Sequence, residues 1–235
     1  MHKLHMPQWA IDRAMERRGK LHPYADLDPR KTALIVVDLQ NGFMVEDVAV
    51  AYVPAAIEIV PNVNRLASAV RATGGKVFWI KNTMDEASMA SWSHYHESAT
   101  AQARRNRILN MSPGTRGHDL HGALDVKPED AIVAKYRFSA FIQGASELPQ
   151  LLHAQGLDTV LITGTVTNVC CESSARDAMM LNFRTIMVSD GNAAVTDEEH
   201  NATLASFYAI FGDVMDTDML IACLERNAGR QQAAE

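Results

Sequence analysis

Residues 161–177 read LITGTVTNVCCESSARD. Val160, Leu161 and Ile162 form an apolar run that ends at Gly164; a short polar turn follows, then two adjacent cysteines, Cys170 and Cys171, where a helix begins. Strand, tight turn and helix in that order are half of a βαβ unit. A thiol at a helix N-terminus faces unpaired N–H groups and the positive end of the backbone dipole, and both favour the thiolate. The segment therefore predicts an α/β fold and nominates a nucleophile.

The same alternation extends outward in both directions. Residues 33–38 (ALIVVD) form a continuous apolar run closed by a carboxylate, as expected of a buried parallel strand. Residues 76–81 (KVFWIK), 131–135 (AIVAK) and 184–189 (RTIMVS) read as further strands, and Val214 with Met215 as a short sixth. Helices are expected from Pro54 to about Thr73, over 145–155, over 170–182, from Thr196 to Ile210, and to about Arg226. Thr196 and Glu199 have capping-box spacing. The prediction is one doubly wound, three-layer α/β/α domain with a mainly parallel sheet of five or six strands, spanning 31–235 behind an N-terminal arm of 1–30. Ligands of such sheets bind beyond the carboxyl ends of the strands, near the switch in strand order. The least regular stretch, 82–130, has the length of a lid or binding loop.

Composition narrows the function classes. A 235-residue chain with 47% hydrophobic residues and a net charge of −6 has no basic footprint for nucleic acid. The cluster Arg104, Arg105 and Arg107 reads as a solvated helix face. No apolar run approaches the ~20 residues that span a bilayer, and the first residues lack an apolar signal core. Three cysteines, two of them adjacent, make a poor disulfide framework, so a cytoplasmic location is expected.

Helical spacing separates the two thiols. Cys171 shares a stripe with Ala175, Ala178 and Met179, whereas Cys170 aligns with Ser174 and Asp177 on a polar face. Cys171 thus reads as packing and Cys170 as facing the strand ends, although both could be inert core residues. Asp38 and Lys135 each end an apolar strand, where an unpaired charge is costly to bury. Alone, either has a structural explanation: a turn cap for Asp38, snorkelling for Lys135. An acid, a cation and a thiol at three strand ends suggest a shared site.

ALIVVDLQNGF, AKYRFSAF and TGTVTNVCCESSARDA, in that order, resemble the three motifs of the isochorismatase-like cysteine hydrolases, over roughly residues 31–226. The resemblance implies Asp38 as base, Cys170 as nucleophile and Lys135 as the cation holding both. It also implies a cis peptide between Thr165 and Val166, with the backbone N–H groups of Val166 and Cys170 receiving the oxyanion. The TNVCxES turn, the spacing of Lys135, Arg137, Ser139 and Phe141, and Asn82 after the second strand resemble the ureidoacrylate amidohydrolase-type members. Cleavage of a C–N bond in a small amide or ureide through an acyl-enzyme is therefore expected. The alternatives are a vinyl ether hydrolase on the same fold, or a non-catalytic redox-sensing or binding homologue.

Candidate substrate contacts are Phe43, Asn82, Trp92, Tyr95, Tyr136 and Phe141. Nicotinamidases of this group carry an Asp-x-His metal motif after the second strand; here that place reads KNTMDE, without histidine. His94 and His96 have ligand-like spacing but lie further on, so no metal and no cofactor are expected. A homo-oligomer, dimer or tetramer, is implied by the resemblance. Ile11, Ala14 and Met15 form an apolar stripe that packs either on a neighbouring subunit or on the arm's own domain.

Overall fold

The computed structural model describes residues 1–233. In chain order the elements are α1 (Gln8–Arg18), β1 (Thr32–Val37), α2 (Asn41–Met44), α3 (Val60–Ala72) and β2 (Lys76–Asn82). Three helices follow, α4 (Glu86–Ser91), α5 (Ser93–Glu97) and α6 (Ala101–Met111), then β3 (Ala131–Lys135), α7 (Leu148–Ala154) and β4 (Thr159–Thr165). A π-turn (Thr167–Cys171) leads to α8 (Glu172–Met180), β5 (Arg184–Ala193), α9 (Asp197–Ile210), β6 (Asp213–Met215) and α10 (Thr217–Gln232).

The six strands form one sheet in the order β3-β2-β1-β4-β5-β6, with every pairing parallel. The chain winds one way from β1 to β3 and the other way from β4 to β6, so the switch in strand order falls between β1 and β4. All six residues of β1 and all seven of β4 are buried, because helices cover both faces of these central strands. Ile35, Val37, Phe78, Ile80 and Ile162 pack with Leu152 of α7, Ala175 and Ala178 of α8, and Leu204 and Phe207 of α9. Leu34, Val36, Trp79, Leu161 and Val188 face the other way, onto Val63, Leu66 and Val70 of α3 and Leu220 and Leu224 of α10. The three-layer α/β/α fold anticipated from the alternating pattern is the observed one.

Element boundaries shift where prolines start helices. α3 begins at Val60 with Pro61 in its first turn, preceded by a separate 3₁₀ turn at Pro54–Ala56, and α7 begins at Leu148 with Pro149 in its first turn. Proline lacks the N–H that the first turn leaves unbonded anyway, so both start a helix rather than sit inside one. The Thr196–Glu199 capping box is present, with both reciprocal bonds formed. α10 runs beyond the expected Arg226 to Gln232. The arm's helix α1 buries Ala10 and Ala14 in its own domain, packed in the same core as α9, and leaves Trp9 half-exposed.

Two backbone positions shape the switch point. Gly164 in β4 has φ of +118°, and a Cβ there would lie 2.0 Å from the carbonyl oxygen of Val37, so only glycine lets β4 press this closely on β1. Asp38 is left-handed at φ 54°, a conformation that Asp tolerates better than most residues. Its N–H continues the ladder to the Ile80 carbonyl at 3.0 Å, while its own carbonyl accepts from the Gln40 N–H at 2.7 Å and turns the chain.

Candidate active site

Asp38 follows β1, Lys135 ends β3, and Cys170 sits in the π-turn after β4, so all three lie at the carboxyl edge of the sheet. β2 separates β1 from β3, which puts them about 10 Å apart at ordinary strand spacing. The long lysine side chain crosses that gap, and Lys135 Nζ stands 2.8 Å from Asp38 Oδ2, with both side chains fully buried. The ammonium also donates to the Arg137 carbonyl at 3.0 Å. Cys170 lies close enough to both the carboxylate and the ammonium for each to shift its thiol.

Burial governs the charges of this cluster. It pushes the Asp38 carboxyl above its ordinary value, outweighing the downward pull of Lys135 and Cys170. Burial alone would lower the Lys135 ammonium, but the facing Asp38 carboxylate, with Cys170 beside it, carries it above its usual value. The Cys170 thiol is pushed up to about 12, first by burial and further by Asp38, against the opposing effect of Lys135. This reverses the expectation that a helix end would favour the thiolate. Cys170 lies two residues before the start of α8, inside the π-turn that leads into it, and desolvation prevails there. The thiol is protonated at rest, which gives an adjacent base a proton to take.

The turn carrying Cys170 is held from several sides. The Thr165–Val166 peptide is cis. The Val166 carbonyl accepts from the N–H groups of Val169 (3.0 Å) and Cys171 (3.2 Å), so neither of those is available to a ligand. Thr167 Oγ1 meets His200 Nδ1 of α9 at 3.0 Å, and the His200 ring stacks on His2 of the arm at 4.4 Å. Cys171 is fully buried against the sheet, with its Sγ 3.9 Å from the Thr163 carbonyl, as its helical stripe indicated.

Cys170 opens into a cavity of about 140 Å³. Its walls are largely apolar, formed by Phe43, Val50, Met84, Met111, Phe138 and Val169 among others, with Asn82, Tyr95 and Arg107 as polar exceptions. Asn82 is fixed by Gln40, which accepts from the Asn82 N–H at 2.7 Å and donates to the Asn82 carbonyl at 3.2 Å and the His118 carbonyl at 2.8 Å. Of the six aromatic and amide residues expected to contact substrate, Phe43, Asn82 and Tyr95 line this cavity. Trp92 stands behind it, stacked on Tyr95 at 4.1 Å and edge-on to Phe138 at 5.0 Å. Tyr136 borders a different groove with Glu147 and Leu151, because its N–H bonds the Ala145 carbonyl and turns the chain away from the sheet edge. Phe141 is buried against Phe183 at 5.7 Å, a core contact rather than a substrate contact.

The stretch expected to be irregular supplies part of the cavity's wall, through Met84, Tyr95 of α5, and Arg107 and Met111 of α6. His94 is exposed beside Glu97, whereas His96 is buried against Trp92 and Tyr95, so the two do not converge as a ligand pair. Among the described residues no cluster of three His, Cys, Asp or Glu is placed to hold a metal. Arg107 is the cavity-lining residue that the sequence pattern hides: it sits in a basic run of solvated appearance, yet it lines the cavity, four residues before the buried Met111 on α6. That i, i+4 pairing with an apolar residue was the available signal.

Residues 32–219 match the isochorismatase domain family. The chain belongs to that family. It is 32% identical over 225 residues to a ureidoacrylate amidohydrolase of Serratia proteamaculans, covering 90% of this chain and 89% of the relative. A ureidoacrylate amidohydrolase of Methylobacterium radiotolerans is 34% identical over 203 residues, covering 81% and 78%. Among solved structures, a cysteine hydrolase from Pseudomonas syringae superposes with a TM-score of 0.76 at 27% identity, covering 86% of this chain and 96% of that one. Family membership extends over nearly the whole sheet and both chain segments that carry Asp38 and Cys170.

Proposed function

We propose that this family member is a metal-independent cysteine amidohydrolase that cleaves a C–N bond of a small amide or ureide. The observation that carries the reading is the buried Lys135–Asp38 pair, 2.8 Å apart, with Cys170 beside both and lining a small cavity. The similarity to ureidoacrylate amidohydrolases supports the same reaction class. The absence of histidine after β2 and the divergent settings of His94 and His96 support a reaction without metal.

The chemistry follows from the protonation states. Asp38, ionised beside Lys135, takes the Cys170 proton as Sγ attacks the substrate carbonyl carbon. Lys135 balances the charge that passes between carboxylate and sulfur, so the cluster keeps its net charge through the transfer. As the family resemblance implies, the tetrahedral oxyanion is received by the N–H groups of Val166 and Cys170; those of Val169 and Cys171 are bound to the Val166 carbonyl. Protonated Asp38 then gives its proton to the leaving nitrogen, ammonia or an amine departs, and a thioester remains on Cys170. Water, deprotonated by Asp38, hydrolyses the thioester and restores the thiol.

An ammonia-release screen over ureidoacrylate, carbamoyl amino acids, biuret, nicotinamide and maleamate tests the proposal. At least one compound should be hydrolysed by the wild type in the presence of a chelator, and Cys170→Ala should abolish that turnover. Retained ammonia release in Cys170→Ala would show that the thiol is not the nucleophile and would overturn the proposal. Activity lost to chelators and restored by zinc would overturn metal independence.

A further inference from the structure

The three arginines around the cavity's cover are not equivalent. Arg104 Nη1 donates to the His96 carbonyl at 3.2 Å. Arg137 is bound to the Tyr136 carbonyl at 2.7 Å and to Ser91 at 3.1 Å, with its guanidinium over Trp92. Arg107 lines the cavity that Cys170 opens into, and its Nη1 is buried without a hydrogen-bond partner among the described residues. No carboxylate among those residues pairs with it; its guanidinium lies over the Tyr95 ring, 4.9 Å from the centroid. An unpaired buried guanidinium N–H is costly, and a guanidinium over an aromatic ring keeps its N–H donors free for a planar anion. The surrounding field is positive, since Arg104 and Arg137 flank the same cluster.

We infer that Arg107 binds a carboxylate on the substrate, so that the enzyme selects acidic amides or ureides over neutral ones. This rests on the amidohydrolase reading above and specifies which substrates that site takes. The apolar walls would hold the short carbon chain between the two polar ends, with the reacting carbonyl at Cys170 and the carboxylate at Arg107. Arg107 thus acts on substrate recognition, not on the proton transfer of the Asp38–Cys170 pair.

The test compares ligands that differ only in the carboxylate: ureidoacrylate against its methyl ester, and a carbamoyl amino acid against its methyl ester. Wild-type kcat/KM should favour the acids by roughly 10- to 100-fold, the range for a hydrogen bond to a charged group. Arg107→Gln should erase that preference, chiefly by raising KM for the acids more than for the esters. Arg107→Lys should retain part of it, and it guards against a folding defect in the glutamine variant. Equal hydrolysis of acids and esters by the wild type, or equal losses on both in Arg107→Gln, would overturn the inference. A second arm measures ureidoacrylate and its ester binding to Cys170→Ala protein by calorimetry, without turnover. Acid binding that vanishes in Cys170→Ala/Arg107→Gln sustains the Arg107 assignment even if the amidohydrolase reading fails. No preference for the acid in this arm refutes the assignment whatever the reaction.

Discussion

Replacing Lys135 with methionine should destabilise the fold more than any surface change could, and replacing Asp38 with asparagine in the same chain should undo most of that loss. Both side chains are fully buried and 2.8 Å apart, so the single change leaves a desolvated carboxyl without its counter-charge. Removing one partner of a buried ion pair typically costs about 3–5 kcal/mol, whereas replacing both is close to neutral. With a urea slope near 3 kcal/mol/M, the single variant's midpoint should fall by about 1–2 M and the double variant's by much less. Asparagine suits the left-handed backbone at position 38, so the double variant adds no conformational strain of its own. The sign with pH is fixed. Asp38 is raised in the folded state, and further so without Lys135, so its contribution is present below the ordinary carboxylate range and lost as the pH rises through the elevated value. The deficit of Lys135→Met should therefore be full at neutral pH and shrink on acidification. Urea melts of wild type, single and double variants at neutral and mildly acidic pH read this directly. A double variant as unstable as the single one, or a single variant with an unchanged midpoint, would refute the argument that the pair is held together by mutual compensation. Both variants should be inactive.

Other expectations are more local. Cys171→Ala should cost about 1–2 kcal/mol for a lost core sulfur while leaving kcat within a few-fold, read by urea melts and the ammonia assay. Gly164→Ala should lower Tm by ~10 °C or prevent soluble expression, because the new Cβ meets the backbone of β1 and the residue's φ of +118° is strained for alanine. His200 and His118 are both lowered to about 4, first by burial, against an ordinary 6.5. Their contribution to stability is complete above the unfolded value and declines from about pH 6.5 towards 4, as the unfolded chain takes up protons that the folded chain refuses. His200→Gln should flatten that decline in stability-against-pH curves.

Much of this was legible in the sequence because central parallel strands leave a simple mark. β1 and β4 are covered on both faces, so their apolar runs are continuous, and the residues that close them, Asp38 and the Cys170 turn, fall at the ligand-binding edge without further information. Lys135 was legible for the same reason, as a charge ending a strand. What failed depended on where the chain goes after a strand ends. Tyr136 and Phe141 follow Lys135 closely, but the bond from the Tyr136 N–H to Ala145 turns that loop outward and sends Phe141 to Phe183. Arg107 was hidden by two basic neighbours that mimic a solvated face, although only α6's packing over the cavity decides which of the three turns inward. Desolvation was equally invisible: the helix-end argument favours the thiolate, whereas burial, a tertiary property, pushes the Cys170 thiol up.

The central claim is that Cys170 forms a covalent acyl intermediate. Intact-protein mass spectrometry of acid-quenched turnover, followed by peptide mapping, tests it. The account predicts a mass increase equal to the acyl portion of the substrate, confined to the peptide bearing Cys170 and 171, unaffected by Cys171→Ala and absent in Cys170→Ala. Turnover without any adduct under conditions that trap thioesters, or an adduct that survives in Cys170→Ala, would contradict it.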